Sequence, residues 1–291
     1  MRWWRQVRII LEMIKFEHTV FALPFAVMSA FFAAGGWPPG PTLGWILLAM
    51  VGARSCAMAF NRLIDAPIDA ENPRTASRAI PAGLVSKKAV ALFTAVSAAL
   101  LVFAAFRLNP LAFALSPVAL IVIMGYSFTK RFTTLAHLWL GFALAIAPVG
   151  AWIAVRGRFD VLPLWLAGVV TLWVAGFDII YACQDVEFDR RKRLFSIPSR
   201  FGVRAALWIS AAFHAAMLVG LALVPMWTPR YGFTLGTPYL LGVLAVGGLL
   251  AYEHAIVRPN DLSRVNAAFF TLNGAVSLVL MVVGVVDVVL L

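Results

Sequence analysis

The chain has 291 residues, 62% hydrophobic and 13% charged, with 24 Lys and Arg against 13 Asp and Glu and a net charge of +11. At a mean hydropathy of +0.90 there is too little polar side chain to cover a water-soluble globule of this size, so the composition is that of an integral membrane protein. The positive charge is spread over short segments with no basic tract organised to read bases, which argues against nucleic acid and for the cytoplasmic membrane surface.

Residues 2–17 (RWWRQVRIILEMIKFE) set Trp3, Val7, Ile10, Leu11 and Ile14 along one helical face, with Arg2, Arg5, Arg8 and Glu12 mostly elsewhere. That pattern predicts a helix lying flat in the membrane interface. No small-residue cleavage site follows, so the segment does not read as a cleaved signal peptide. Nine apolar runs follow, at roughly 18–34, 42–64, 87–106, 109–127, 135–155, 163–183, 203–226, 235–256 and 265–291. They are continuous rather than alternating, which predicts spanning helices and not barrel strands. The first begins inside Lys15-Phe16-Glu17-His18 and contains Pro24.

Eighteen of the 24 basic residues fall in 1–17, 65–88, 128–134, 184–204 and 257–264, which nine spans place on one side. The positive-inside rule makes that side, and the N-terminus, cytoplasmic and the C-terminus external. Cys56 and Cys183 lie in apolar helix near that side and are expected to be reduced. Glu253 and His254 are expected at the cytoplasmic rim and Asp287 at the outer end, as interface residues.

Seven of the 13 acidic residues (Asp65, Asp69, Glu71, Asp178, Asp185, Glu187, Asp189) crowd into two short segments. Carboxylates are costly in a membrane protein, and such crowding calls for a cation. Positions 61, 65 and 69 recur every four residues and form one stripe on a helix; Asp178, Tyr181, Asp185 and Asp189 are read as a second ladder. Oxygen donors of this kind suit a hard cation such as Mg²⁺, which takes a few carboxylates and completes its shell with water and phosphate. Basic residues stand beside both ladders: Arg74 and Arg78, Lys130 and Arg131, and the run from Arg190 to Arg193 with Arg200. Carboxylates and cations together point to a diphosphate held through metal. For Arg190, Lys192 and Arg193 the simpler account is the positive-inside bias. Arg54 lies two helical turns before Asn61 with no acid at helical spacing in its own span, so it needs either a partner on a neighbouring helix or an acidic substrate.

NRLIDAPID followed by NPRTASRAIPAG, and DIIYACQDVEFD followed by RRKRLFSIPSRFG, resemble the two signature segments of the UbiA superfamily of intramembrane prenyltransferases. The resemblance covers nearly the whole chain. It implies one all-α domain over 1–291, nine transmembrane helices around a central cavity, with the Asp motifs on cytoplasmic loops at 65–86 and 184–202. It places the protein in the cell (inner) membrane with the site opening to the cytoplasm. The implied activity is Mg²⁺-dependent transfer of a polyprenyl group from its diphosphate to an aromatic acid in quinone synthesis, with two ions bridging Asp65, Asp69, Asp185 and Asp189 to the diphosphate. Asn61 would complete one ion's shell, and Lys130, Arg131, Arg78 and Arg191 would meet diphosphate oxygens. Tyr126 and Tyr181 would face the allylic cation, Asp178 would orient the acceptor or take its proton, and Arg54 would hold the acceptor's carboxylate.

The loop after the second motif departs from the family pattern Asp-x-Lys-x-Gly-x-Lys-Ser, with Arg191, Arg193 and Phe195 preceding Ser196. Phe195 cannot ligate phosphate, and Arg193 stands where many relatives have glycine. The acceptor implied by the resemblance is 4-hydroxybenzoate or, as in a similar branch, 1,4-dihydroxy-6-naphthoate. No obligate protein partner is evident. A secondary transporter is the competing class, but its ionisable residues would sit near the midplane rather than at helix ends.

Overall fold

Lipid offers no hydrogen-bond partner to a bare backbone, so each apolar run must satisfy its own N–H and C=O groups. In the computed structural model, which describes residues 2–14 and 21–290, the regular structure is accordingly helical, apart from an isolated β-bridge between Arg258 and Asp261. The side chains of Arg2, Trp3 and Arg5 are outside the description, as are residues 15–20.

Among the described residues, eight helices are long and apolar enough to cross a membrane. They are α3 (Gly40–Glu71), α4 (Lys87–Leu108), α5 (Pro110–Thr129), α6 (Ala136–Arg156), α7 (Val161–Ala182, continuing to Lys192), α10 (Val203–Ala222), α11 (Thr237–Ile256) and α12 (Asn273–Leu290, preceded by the π-helical turn Ala267–Leu272). Between them lie α8 (Val186–Lys192) and α9 (Ile197–Phe201). Ile10 of helix α1 (Arg2–Met13) and Ile14 just after it are buried with Ala59 and Ala66 of α3 and Ile80 of the following loop, while Leu11 from the expected apolar face stays exposed. Helix α2 (Leu23–Ala34) has 12 residues, about 18 Å by helix rise, less than the roughly 30 Å hydrocarbon core. The first residues of its expected run, 18–20, and the charged Lys15 to His18 lie outside the described residues.

Two features position the site. Helix α3, at 32 residues, is about 48 Å long, so its last three turns carry Asn61, Asp65 and Asp69 beyond the length a bilayer needs. Helix α7 is the hub: 72% of its most apolar stretch is buried, against 17–39% for the other spans.

Helix α6 lies hard against α7 because Gly141 has no side chain. A Cβ there would sit 2.3 Å from the Thr171 carbonyl oxygen, which is backbone and cannot swing away. Gly141→Ala is expected to push the two helices apart and destabilise the protein by about 1–3 kcal/mol. The test is a lowered thermal unfolding midpoint in detergent; an unchanged midpoint would show that the close approach is dispensable.

Two expectations are corrected. Glu253 and Asp287 are not interface residues; both are fully buried. Asp287 Oδ2 accepts the N–H groups of Gly236 (2.8 Å) and Tyr239 (3.1 Å), satisfying the free amides at the start of α11. Glu253 accepts from Asn273 Nδ2 at 2.8 Å beside His214, whose Nδ1 lies 3.0 Å from His254 Nε2. Each acid is buried because a neighbouring helix supplies a donor, which hydropathy along one segment cannot reveal. Cys56 and Cys183 are free and buried.

Candidate active site

The C-terminal ends of α3, α5 and α7 meet around a cavity of about 210 Å³. Asn61, Asp65 and Asp69 enter it from α3, Tyr126 and Lys130 from the end of α5, and Asp178, Tyr181, Asp185 and Asp189 from α7 and its continuation. Arg54, Arg78 and Arg131 also line it. Arg191 is exposed and is not among the lining residues.

The two acidic motifs face each other and are linked. Asn72, which ends α3, donates to Asp185 Oδ1 (3.1 Å) while its own Oδ1 accepts the Arg74 N–H (3.0 Å). The turn this makes aims Arg74 across the cavity, where Nε and Nη2 bind the two oxygens of Asp185 at 2.9 and 2.5 Å. Arg74 Nη1 also donates to the Tyr181 hydroxyl at 3.0 Å. Burial works against the charge on Arg74, but the hydrogen bond to Asp185 and its negative charge outweigh that and raise the guanidinium above its ordinary value.

Each remaining acid of the two helix-spaced motifs also has a partner. Arg78 Nη1 meets both oxygens of Asp69 (2.7 and 2.8 Å). Asp65 accepts from Asn61 Nδ2 (2.7 Å) and Arg131 Nη2 (3.3 Å), and Asp189 from the Ser196 hydroxyl (3.0 Å). The side chain of Lys130 reaches the cavity. Burial disfavours its charge, but Tyr126, Asp189, Asp178 and Asp185 around it hold the ammonium well above its usual range. Arg54 has no hydrogen-bond partner at its buried Nε, so a guanidinium stands in the cavity wall awaiting an acceptor.

Five aspartates and six basic side chains, counting Arg62 and Arg74, thus line one chamber. Among the described residues no three carboxylate, thiol or imidazole groups converge closely enough to enclose a metal ion. This donor set fits Mg²⁺, which binds through one or two carboxylates and takes phosphate and water for the rest, and does not fit an all-protein cage. The chamber's other wall is aromatic: Phe21, Phe177, Tyr181, Phe269 and Phe270 line it, with Tyr181 and Phe269 ring centroids 4.3 Å apart. Consecutive residues Phe269 and Phe270 both face the cavity within the π-helical turn Ala267–Leu272, a widened turn of the sort found at functional sites.

In the sequence Arg74 stands only as a base flanking the first motif, and no local pattern assigns a role to Asn72, Arg62 or Ser196. Asn72 closes the first signature, and its Asn-Pro-Arg string was the one available signal of a turn. Arg193 ends α8 at φ 53°, ψ 37°, the left-handed conformation that favours glycine, so the absent glycine costs on the order of 1 kcal/mol. Phe195 contributes its backbone instead of a phosphate ligand, donating its N–H to the Lys130 carbonyl at 2.7 Å.

The UbiA prenyltransferase family model matches residues 22–275. The chain belongs to the UbiA prenyltransferase family. It is therefore an enzyme, a prenyltransferase, built as a multi-pass membrane protein. The 4-hydroxybenzoate octaprenyltransferase of Shewanella halifaxensis is 29% identical over 88% of this chain and 88% of its own length. That of Vibrio parahaemolyticus is 31% identical over 85% of each. The solved apo structure of a UbiA homolog from Aeropyrum pernix K1 superposes with a TM-score of 0.83 at 33% identity, covering 94% of this prenyltransferase and 98% of that chain. A UbiA homolog from Archaeoglobus fulgidus, solved bound to DMAPP and Mg²⁺, shares the fold at a TM-score of 0.70 and 18% identity, over 97% and 99% of the two chains.

Proposed function

We propose that this prenyltransferase moves a polyprenyl group from its diphosphate to 4-hydroxybenzoate in a Mg²⁺-dependent reaction of quinone synthesis. The observation carrying this reading is the facing of the two acidic motifs across one chamber, with the unpartnered Arg54 in its wall. The names of the relatives from Shewanella and Vibrio support the acceptor, and the Mg²⁺ bound to the Archaeoglobus homolog supports the metal.

In the reaction the allylic C–O bond breaks, a ring carbon of the acceptor bonds to the prenyl carbon, and diphosphate and one proton leave. Asp65, Asp69, Asp185 and Asp189, with Asn61, would hold two Mg²⁺ ions, which when bound neutralise charge on the departing diphosphate. Lys130, Arg74, Arg78 and Arg131 meet its remaining oxygens, so the arginines now paired with aspartates exchange partners when substrate enters. The rings of Tyr126, Tyr181 and Phe269 shield the allylic cation from water and present their negative faces to it. Arg54 takes the acceptor's carboxylate, and Asp178 orients its hydroxyl or accepts the proton released.

The bilayer arrangement inferred with this is nine crossings, with α2 counted as the first. The N-terminus and the chamber mouth are on the cytoplasmic side of the cell (inner) membrane, from the basic bias of that side. Surrounding lipid and the two substrates are the expected partners, with no obligate protein subunit.

The decisive assay supplies purified protein in detergent with Mg²⁺, a long-chain prenyl diphosphate and either 4-hydroxybenzoate or 1,4-dihydroxy-6-naphthoate, scored by product mass. Prenylated 4-hydroxybenzoate is the expected product. Prenylation of the naphthoate alone would move the enzyme to menaquinone synthesis, and uptake of substrate into liposomes without diphosphate release would replace the enzyme reading by a carrier.

A further inference from the structure

Behind the chamber, outside the metal-motif residues, lies a second hydrogen-bonded unit. His137, on the first turn of α6 and fully buried, places Nδ1 2.6 Å from Asp178 Oδ2. Its other nitrogen, Nε2, accepts the backbone N–H of Ile197 at 3.3 Å. These partners admit one arrangement of ring protons. An amide N–H can only donate, so Nε2 must carry a lone pair, and the remaining proton is on Nδ1, donated to Asp178. A doubly protonated ring would set Nε2–H against the Ile197 N–H, two donors face to face. The imidazole is thus a neutral donor that clamps one carboxylate oxygen, and no other hydrogen bond to Asp178 occurs among the described residues while its side chain lines the chamber.

The contact exists because Gly141, one turn after His137 on α6, lets that helix close on α7. Ile197 is in turn fixed by its surroundings. Ser196 caps α9 and donates to Asp189, and Phe195 is tied to the Lys130 carbonyl. His137 therefore joins the carboxylate on the acceptor side to the strand of backbone that holds the diphosphate side.

We propose that His137 is a positioning residue for prenyl transfer: through Nδ1–H it holds Asp178 in the orientation that leaves its second oxygen free for the aromatic acceptor. This rests on Asp178 acting at the acceptor, as in the proposed function. Support from behind, by a group whose own protonation is dictated by backbone, is how ligating and catalytic side chains are commonly oriented.

The test is a double-mutant cycle with rescue, measured as kcat for the detergent-purified protein with Mg²⁺, prenyl diphosphate and 4-hydroxybenzoate. His137→Ala is expected to lower kcat roughly 10- to 100-fold, the scale of one charge-assisted hydrogen bond. His137→Asn, whose amide nitrogen falls near the Nδ1 position, should recover to within about 3-fold of the unsubstituted enzyme, whereas His137→Gln, whose amide reaches towards Nε2, should not. On an Asp178→Asn background, His137→Ala should cost less than about 3-fold more, because the group it orients is already disabled. Equal behaviour of the Asn and Gln variants, or a His137→Ala loss that persists in full on that background, would overturn the proposal. Normal turnover by Asp178→Asn alone would remove the acceptor role of Asp178 and this inference with it. A slow Asp178→Asn with an additive cycle would remove only the role of His137. Should His137→Ala unfold, seen as a lost thermal transition, the Asn and Gln pair decides.

Discussion

Asp65→Ala and Asp189→Ala proteins are expected to lose prenyl transfer in Mg²⁺ by about 10³-fold or more while remaining folded. The two residues approach the chamber from opposite sides, Asp65 from α3 and Asp189 from the continuation of α7, so each represents one motif. Removing either leaves positive charge behind, since Arg131 loses its carboxylate and keeps the neutral Ile64 carbonyl in one case, and Lys130 loses a nearby carboxylate in the other. Asp189→Asn is the sharper variant. Its amide oxygen can still accept from the Ser196 hydroxyl, which preserves the cap of α9, but it cannot supply negative charge to a cation. Product mass measured against a thermal unfolding control separates the two effects. Near-normal turnover by both alanine variants would leave the carboxylates without a metal role.

Arg54→Ala is expected to raise the KM for 4-hydroxybenzoate about 100-fold while leaving the KM for prenyl diphosphate within about 2-fold. The cavity already holds a buried guanidinium whose Nε has no acceptor, a cost that a carboxylate entering the chamber would remove. A phenol lacking the carboxylate supplies the control. It should bind poorly to the unsubstituted enzyme and lose nothing further on Arg54→Ala. An equal loss for both acceptors would assign Arg54 to helix packing, the alternative its sequence position left open.

Residues in the two motifs differed in how legible they were. Asn61, Asp65 and Asp69 were readable as one stripe because α3 runs unbroken from Gly40 to Glu71, and an unbroken helix preserves four-residue spacing. The second ladder was only partly readable. The chain tightens to a 3₁₀ turn at Cys183–Asp185 between α7 and α8, so Asp178 and Tyr181 belong to one helix and Asp189 to another. The Asp–Arg pairings were not readable. Arg78 is nine residues from Asp69, and Arg74 is 111 from Asp185. No local rule chooses between the two arginines, and the choice is made by the turn at Asn72. Arg191, expected beside the second motif as a phosphate ligand, is exposed and does not line the chamber.

Composition alone commits this chain to lipid, and the rarity of carboxylates there makes their two clusters conspicuous; both conclusions concern free energies of transfer, which each residue carries wherever it stands. Which acid meets which base, why Glu253 and Asp287 are buried, and how His137 reaches Asp178 depend on distances between helices far apart in sequence. Those distances arise from packing, where a missing Cβ at Gly141 or a tight turn at Asn72 moves a side chain by ångströms, and hydrogen bonds and charge pairs change steeply over ångströms.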